Sequence, residues 1–249
     1  MSKSIFSLED KTILITGASS GIGRAAAQEC AAVGARCIIT GRNEARLNDV
    51  YNSLPGSGHI MYTADLTDCR QIDSLVEQLP PLNGIVCCAG VVETQLLKFS
   101  SDIELIKIFE TNTFSVIRLI RELVKNKILV KEASVVIVSS VSGVKCGYIG
   151  GSIYGASKGA LEGFVKAAAI ELSSKKIRVN TIVPGMINTS LLKESSIDDE
   201  LLKADMLKYP LKRYGEPKEV AYSAVYLLSD ATKWVTGTSL IIDGGYTLN

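Results

Sequence analysis

Short apolar runs alternate along the chain with longer segments in which apolar residues recur every three or four positions. The apolar runs are hydrophobic throughout, which is typical of parallel strands buried on both faces. Strands are predicted at 12–16, 36–40, 59–64, 84–89, 134–140, 177–183 and 239–243. Helices are predicted at about 22–33, 43–54, 68–79, 102–127, 153–172 and 219–229. This alternation predicts an α/β fold, a doubly wound (Rossmann) parallel sheet of about seven strands.

One segment, residues 190–213, interrupts the alternation. It is polar and helix-prone, and it follows a strand end, where α/β folds bind their ligands. It predicts a lid over a substrate, and a static surface excursion is the alternative. No linker, repeat or low-complexity segment divides the 249 residues, so residues 1–249 are predicted to form a single domain.

Composition excludes several classes of partner. Hydrophobic residues make up 47% of the chain, charged residues 21%, and the formal net charge is +1, so no basic block indicates a nucleic-acid partner. The longest apolar run, residues 85–92, is too short to cross a membrane. The first residues lack the apolar core of a secretory signal, so a cytoplasmic location is predicted.

The cysteines and the single histidine indicate no metal centre. None of the six cysteines forms a C-x-x-C pair, and His59 follows a turn-rich stretch that predicts a surface position. Cys87 and Cys88 lie in an apolar run and are predicted to be reduced, buried thiols. A mechanism that uses histidine as the base is therefore not favoured, because His59 is the only candidate and is poorly placed.

The first predicted strand leads directly into a glycine-rich loop and an alanine-rich helix. Glycines let the backbone approach a phosphate, and the helix N-terminus offers unpaired N–H groups. The spacing is G-x-x-x-G-x-G, and its position after the first strand predicts a nucleotide site. The loop residues assigned to that site are Gly17, Ser19, Ser20, Gly21, Ile22 and Gly23.

The end of the second predicted strand indicates which nicotinamide cofactor binds. An acidic residue there would bind a ribose 2′-hydroxyl, whereas an arginine suits a 2′-phosphate. The strand ends in Thr-Gly-Arg42-Asn43, without a carboxylate. This predicts NADP(H) in preference to NAD(H), unless Arg42 only begins a solvated helix. After the third strand, Asp68 is predicted to cap the next helix, which leaves Asp65 for the adenine.

Tyr154 and Lys158 lie four positions apart on a predicted helix and therefore share one face. The same spacing recurs at Tyr214 and Lys218, but a glycine and a proline between them predict a turn. A free tyrosine titrates near pH ~10, and about 4 kcal/mol of bias would bring its pKa to about 7. A nearby ammonium provides such a bias, so this pair could move a proton without histidine.

The chain resembles the short-chain dehydrogenase/reductase family over nearly its whole length. The motifs that carry the resemblance are TGASSGIG (16–23), ADL (64–66), CAG (88–90), TNTFS (111–115), VSSVSG (138–143), YGASK (154–158), RVNTIVPGMINT (178–189), RYGEPKEVA (213–221) and VTGTSLIIDGG (235–245).

The resemblance implies catalytic roles for Asn112, Ser140, Tyr154 and Lys158. Tyr154 would be the general acid/base, and Lys158 would lower its pKa and bind the nicotinamide ribose. Ser140 would hydrogen-bond the substrate oxygen, with Ser139 and Ser142 as alternatives. Asn112 would position a water in a relay to Lys158. The remaining residues assigned to the cofactor are Leu66, Cys88, Ala89, Gly90, Pro184, Gly185, Ile187 and Thr189, the last near the carboxamide.

The resemblance also implies reversible hydride transfer between NADP(H) and a carbonyl or secondary alcohol. A ketoreductase acting on a small-molecule ketone or an acyl thioester is predicted, and a non-catalytic dinucleotide-binding or scaffolding protein is the alternative. The family commonly has asparagine where this chain has Cys88, and a thiol is a poor substitute for a carboxamide. Small residues along helix 154–172, together with the resemblance, predict a homotetramer; close packing within one chain is the alternative.

Overall fold

A computed structural model describes residues 4–189 and 199–248 of the chain. Its strands are β1 (Thr12–Thr16), β2 (Arg36–Gly41), β3 (Ile60–Thr63), β4 (Leu82–Cys87), β5 (Leu129–Val138), β6 (Arg178–Pro184) and β7 (Ser239–Ile242). Its helices are α1 (Gly21–Ala32), α2 (Glu44–Ser53), α3 (Cys69–Gln78), α4 (Asp102–Phe109), α5 (Ser115–Lys125), α6 (Ser152–Glu171), α7 (Asp199–Met206) and α8 (Pro217–Leu228).

The described strands form one parallel sheet in the order β3-β2-β1-β4-β5-β6-β7. The chain winds outward from β1 to β3 and then from β4 to β7, so the switch point lies between β1 and β4. Thr16, the last residue of β1, lies opposite Thr40 of β2 and Cys87 of β4. The doubly wound prediction is confirmed, and ligands of such sheets bind beside this switch point.

Both faces of the sheet are covered by helices. Ile13 and Ile15 of β1 pack into one hydrophobic cluster, and Leu14 between them packs into a second cluster on the opposite face. All three side chains are fully buried. This explains the continuous apolar pattern of the strands, since alternate residues enter different cores.

The long helix predicted at 102–127 is interrupted. Ser101 caps α4 with a capping box, in which its hydroxyl accepts from the backbone N–H of Glu104 and the Glu104 carboxylate accepts from the backbone N–H of Ser101. A π-helical turn at Glu110–Phe114 separates α4 from α5. Such turns are rare and occur frequently at functional sites, and this one contains Asn112.

The predicted lid lies only partly within the described residues. Residues 190–198 lie outside them, and α7 occupies the beginning of the remainder. The hydroxyl of the buried Tyr214 donates to Leu202 O at 3.2 Å and to Asp205 Oδ2 at 2.9 Å, which fixes the turn after α7 to that helix. The movement of a lid stays a prediction.

The second tyrosine–lysine pair does not form a site. Tyr214 is buried, whereas Lys218 is exposed on the first turn of α8 and pairs with Glu29 at 3.1 Å. Pro217 begins α8, so a turn separates the two side chains, as predicted.

His59 is half-buried, so it is less exposed than the predicted surface position implied. Its Nδ1 accepts a hydrogen bond from the N–H of Cys37 at 3.0 Å, and its Nε2 lies 2.9 Å from Pro55 O. Because Nδ1 accepts, Nε2 carries the proton and donates to Pro55 O. The imidazole therefore links β2 to the turn before β3.

Candidate active site

Tyr154 and Lys158 lie in the first two turns of α6, on the face that packs against the end of β5. The Lys158 side chain is buried, and its Nζ donates a hydrogen bond to Val138 O at 3.0 Å. Val138 is the last residue of β5. The sheet therefore orients the ammonium, and the tyrosine one turn earlier is half-buried beside it.

Ser140 is the serine that meets Tyr154. A side-chain hydrogen bond joins the two residues, and Ser140 Oγ also accepts from the N–H of Ser142 at 3.1 Å. Ser139 instead donates to Lys158 O at 3.2 Å. Of the three candidate serines, Ser140 is therefore the one placed to share a substrate oxygen with Tyr154.

Asn112 is fully buried in the π-helical turn. Its Oδ1 accepts from Val91 N at 2.8 Å, and its Nδ2 donates to Val91 O at 2.9 Å and to Ser157 Oγ at 3.1 Å. The carboxamide thus links the loop after β4 to α6, and no donor or acceptor of its side chain needs a further partner in order to be satisfied.

Gly90 lies where Asn112 and Lys158 converge. A Cβ at Gly90 would lie 3.3 Å from Asn112 Oδ1 and 3.4 Å from Lys158 Nζ. Such distances are tighter than most Cβ contacts, so only glycine leaves this approach open. The loop after β4, the π-helical turn and α6 therefore meet at one place.

Burial shifts the pKa values of Tyr154 and Lys158 in opposite directions. Desolvation lowers the pKa of Lys158 to about 8, and it raises the pKa of Tyr154 above its ordinary value. The hydrogen bond with Ser140 lowers the pKa of Tyr154 in part. The expectation that Lys158 lowers this pKa is not met in the present arrangement, because burial dominates and Ser140 is the partner that favours the phenolate.

The glycine-rich loop has the shape that a dinucleotide phosphate needs. Gly17 has φ +62°, and a Cβ there would lie 2.7 Å from Ala89 N. A Cβ at Gly23 would lie 2.3 Å from Gly17 O. The backbone of the loop is thus folded onto itself and onto the end of β4, and α1 begins at Gly21 with its N–H groups toward the loop.

A cavity of about 460 Å³ adjoins this loop. The residues that line it are Ser19, Ser20, Gly21, Arg24, Ala25, Gln28, Arg46, Asp49, Asn188, Thr189, Glu216, Pro217 and Lys218. A Cβ at Gly21 would lie 3.4 Å from Thr189 Cγ2, so the segment after β6 crosses close to the loop. The structure thereby brings together Ser19, Ser20, Gly21 and Thr189, as the sequence predicts.

The residues after β2 and β3 have local structural roles as well. Arg42 is exposed, and Asn43 caps α2 by accepting from Arg46 N at 2.9 Å. Asp68 caps α3 by accepting from Arg70 N at 2.9 Å, as predicted. Asp65 is not wholly free for a base, because its Oδ1 accepts from the N–H and hydroxyl of Thr67. Leu66 follows it, half-buried.

Thr16 is a positioning residue to which the sequence assigned no role of its own. Its Oγ1 accepts from Cys88 N at 3.2 Å and from Ala89 N at 3.3 Å, which fixes the turn after β4. The signal that could have revealed it is a buried hydroxyl residue at the end of a strand whose three central residues are all apolar. Cys88 is half-buried, unlike the buried Cys87, and desolvation raises its pKa to about 12.

The segment after β6 is held against both neighbours. Pro184 O accepts from Val141 N at 3.0 Å, and Gly185 N donates to Ile242 O at 2.9 Å. Ile187 is buried and forms an isolated bridge with Gly215. Residues 184–189 therefore lie between the loop that carries Ser140 and the phosphate loop. This is where the sequence predicts the nicotinamide.

Among the residues that the structure covers, no helix is long and apolar enough to span a bilayer. Nor do three or more His, Cys, Asp or Glu residues cluster in a way that could hold a metal ion within those residues. The donor set at the site consists of hydroxyls, one ammonium and backbone N–H groups. These groups fit a dinucleotide and a polar substrate oxygen.

Comparisons with known proteins place this geometry in a family. A family model described as enoyl-(acyl carrier protein) reductase matches residues 17–247. A 3-oxoacyl-[acyl-carrier-protein] reductase of Bos taurus is 35% identical over 243 residues, which cover 96% of this chain and 99% of the relative. The carbonyl reductase family member 4 of Danio rerio is 33% identical over 239 residues, covering 94% and 97%.

Solved structures agree. A short-chain dehydrogenase/reductase from Serratia marcescens superposes with a TM-score of 0.90 at 26% identity, covering 96% of this chain and 99% of the other. A putative gluconate dehydrogenase from Agrobacterium tumefaciens superposes with a TM-score of 0.88 at 26% identity, covering 98% of each. With the serine, tyrosine and lysine of the family motifs assembled at one strand end, the chain belongs to the short-chain dehydrogenase/reductase family.

Proposed function

We propose that the chain is an NADP(H)-dependent ketoreductase that acts on 3-oxoacyl thioesters. The observation that carries this proposal is the hydrogen bond between Ser140 and Tyr154, one helical turn before the buried ammonium of Lys158. Two neighbouring hydroxyls suit an oxygen that gains negative charge as its carbon is reduced. The dinucleotide, when bound, supplies the hydride in that direction.

Tyr154 is the proton donor in this mechanism. Its raised pKa keeps the phenol protonated at neutral pH, which is the form that reduction of a carbonyl requires. Ser140 holds the substrate oxygen beside the phenol. Lys158, with a pKa of about 8, changes protonation near neutral pH. It can therefore take part in returning a proton to Tyr154 after each turnover.

The choice of NADP(H) is supported by arginines without counter-ions. Arg42, which follows β2, and Arg24 and Arg46, which line the cavity beside Ser19, have no side-chain hydrogen bond or ion pair within the described residues. The residue after β2 is not acidic, so no carboxylate there would repel a 2′-phosphate. Arginine presents a planar fork that matches phosphate oxygens.

The acyl-thioester substrate is supported by the curated relatives, which include 3-oxoacyl-[acyl-carrier-protein] reductases of about one-third identity. The family model is described as an enoyl reductase, which would reduce a carbon–carbon double bond. Both reductions place negative charge on a carbonyl oxygen, but reduction of an enoyl thioester must protonate the α-carbon. The Ser140–Tyr154 pair favours the ketone, because the phenol proton is then delivered to the same oxygen that both hydroxyls would contact.

A homotetramer is also proposed. Helix α6 carries the exposed Gly163 in its middle and Ile170, 76% exposed, near its end. An apolar side chain and a small residue on one exposed helix suit a close helix–helix contact. The cytoplasmic location predicted from the sequence stays a prediction.

The test is a spectrophotometric assay of NADPH and NADH oxidation with acetoacetyl, crotonyl and neutral ketone substrates. We expect turnover with NADPH and an acetoacetyl thioester, and little with its crotonyl counterpart. Tyr154→Phe serves as the matched control for turnover. Tight NADPH binding without oxidation of any substrate would support the scaffolding alternative, and preferred turnover of the crotonyl thioester would support the enoyl reductase.

A further inference from the structure

A second cavity, of about 270 Å³, lies apart from the phosphate loop. The described residues that line it are Lys145, Cys146, Lys208, Tyr246 and Thr247. They come from three distant parts of the chain: the loop after Ser140, the turn after α7, and the C-terminal turn. None of them lines the cavity beside the phosphate loop. The second cavity is therefore a separate site.

The first wall of this cavity belongs to the loop that carries Ser140. Val141 O accepts from Lys145 N at 2.8 Å and from Cys146 N at 3.1 Å, which closes the loop into a compact turn immediately after Ser140. Gly143 N donates to Cys146 O at 2.9 Å within the same turn. Lys145 is thus held one compact turn away from the serine that would contact the substrate oxygen.

The opposite wall of the cavity contains Tyr246, which connects through Tyr209 to the segment after β6. Tyr246 stacks on Tyr209 with 4.7 Å between ring centroids. The Tyr209 hydroxyl accepts from Met186 N at 3.1 Å, and Met186 belongs to the segment that crosses beside the phosphate loop. The cavity therefore borders the substrate end of the cleft between the Ser140 loop and the 184–189 segment.

The nearby carboxylates are already paired. Asp205 accepts from Lys208 Nζ at 2.9 Å and from the Tyr214 hydroxyl at 2.9 Å. Asp243 accepts from the N–H groups of Gly245 and Thr247, both at 2.9 Å. Lys145 is exposed and has no side-chain hydrogen bond or ion pair within the described residues. The cavity is lined by two lysines: Lys208 is ion-paired with Asp205, and Lys145 is the one that has no counter-ion among the described residues.

We propose that this cavity binds the phosphate of a phosphopantetheine arm, with Lys145 and Lys208 as its cationic ligands and Thr247 at its rim. The inference rests on the proposed function, because a 3-oxoacyl thioester brings such an arm to the mouth of the cleft. Coenzyme A and an acyl carrier protein share this phosphate. An ammonium binds it as a point charge, through charge-assisted hydrogen bonds.

The experiment compares acetoacetyl-pantetheine with acetoacetyl-phosphopantetheine, which differ only in the phosphate. In the wild type we expect a lower KM for the phosphorylated substrate. Lys145→Glu should raise that KM by about 10- to 100-fold, the size of one or two charge-assisted hydrogen bonds, with kcat unchanged. The KM for acetoacetyl-pantetheine should not change. Lys131→Glu, at an exposed lysine near the amino end of β5 and therefore away from the carboxyl ends of the strands, is the matched control.

Two further arms complete the test. Acetoacetyl-coenzyme A and the acetoacetyl carrier protein should both lose affinity in Lys145→Glu, and the lower wild-type KM identifies the natural carrier. Calorimetric binding of phosphopantetheine to the wild type, lost in Lys145→Glu and kept in Lys131→Glu, tests the site without turnover. Equal KM values with and without the phosphate in the wild type would overturn the proposal while leaving the ketoreductase intact. If the wild type turned over neither acetoacetyl-pantetheine nor its phosphorylated form, that result would count against the proposed function instead.

Discussion

The ammonium of Lys158 donates to the carbonyl oxygen of Val138 at 3.0 Å from a side chain that is only 6% exposed. The one hydrogen bond does not offset the loss of hydration, so burial lowers the pKa of Lys158 from 10.5 to about 8. A positive charge at this position therefore destabilises the fold, which is consistent with a group kept for chemistry rather than for stability.

This arrangement predicts a pH-dependent difference in stability between the wild type and Lys158→Met. Because the folded-state pKa is lowered, the cost of burying the ammonium is present in full below about pH 8. Between about pH 8 and 10.5 the folded protein has released a proton that the unfolded chain still holds, so the wild type gains stability relative to the variant. The gain is on the order of 3 kcal/mol over that window.

Urea unfolding of both proteins at pH 7, 8, 9 and 10 measures this difference. Lys175→Met, at an exposed lysine in the turn after α6, should show a constant offset from the wild type. If the difference in free energy of unfolding between the wild type and Lys158→Met were also independent of pH, burial would not lower the pKa of Lys158.

Tyr154→Phe should lower kcat by about 10²- to 10⁴-fold, because the phenol is the proposed proton donor and phenylalanine keeps the ring but not the proton. NADPH affinity, measured by fluorescence of the bound dinucleotide, should change little. A variant with unchanged turnover would exclude Tyr154 as the acid. A variant that no longer binds NADPH would indicate a structural role for the hydroxyl.

Ser140→Ala should change the pH profile as well as the rate. The hydrogen bond with Ser140 lowers the pKa of Tyr154, so its removal raises that pKa further. Reduction requires the protonated phenol, and the alkaline limb of kcat/KM should therefore move to higher pH. Ser139→Ala is the control, since that hydroxyl donates to Lys158 O. If the alkaline limb of Ser140→Ala did not move, Ser140 would not influence the pKa of Tyr154.

The parts of the site that lie close together in sequence were predictable. Tyr154 and Lys158 are one turn apart on a helix, and the glycines at 17, 21 and 23 lie in one loop, so periodicity and spacing locate them. The doubly wound parallel sheet followed from the alternation of continuously apolar strands with helices. These features depend on local geometry, which the sequence specifies directly.

Other features depend on tertiary packing and were not predictable. The pKa of Tyr154 is raised rather than lowered, because burial acts more strongly than the neighbouring groups. His59 looked exposed from its turn-rich surroundings, yet its ring joins β2 to a turn. Lys145 and Lys208 are distant in sequence and meet only at the second cavity. Each outcome depends on contacts between segments that spacing alone does not bring together.

Arg42→Asp should reverse or reduce the preference for NADPH over NADH. The substitution removes a cation that suits the 2′-phosphate and adds a carboxylate that suits a free 2′-hydroxyl. We expect kcat/KM for NADPH to fall by about 10- to 100-fold, the size of a charge-assisted hydrogen bond, with NADH unchanged or improved. Arg46→Ala, beside Ser19, should cause a smaller loss that is also confined to NADPH.

Lys131→Asp provides the charge-matched control for Arg42→Asp, because this exposed lysine lies near the amino end of β5, whereas Arg42 follows the carboxyl end of β2. Equal losses with NADPH and NADH in Arg42→Asp would show a general effect on the site. In that case Arg42 would not select the cofactor.

Gly163→Ala tests the proposed tetramer. Apart from its own stretch of helix, a Cβ at Gly163 would meet no atom of the described chain within 4 Å, and the residue lies inside α6. In an isolated subunit the change should stabilise the fold by about 0.5–1 kcal/mol, because alanine has the higher helix propensity. If α6 packs closely against a second copy, the added methyl group should instead weaken the assembly. Sedimentation velocity should then show smaller species at a concentration where the wild type is tetrameric. Gly147→Ala, at a loop glycine that also has open space around it, should leave the assembly unchanged. A stabilised variant that stays tetrameric would place the subunit contact away from this face of α6.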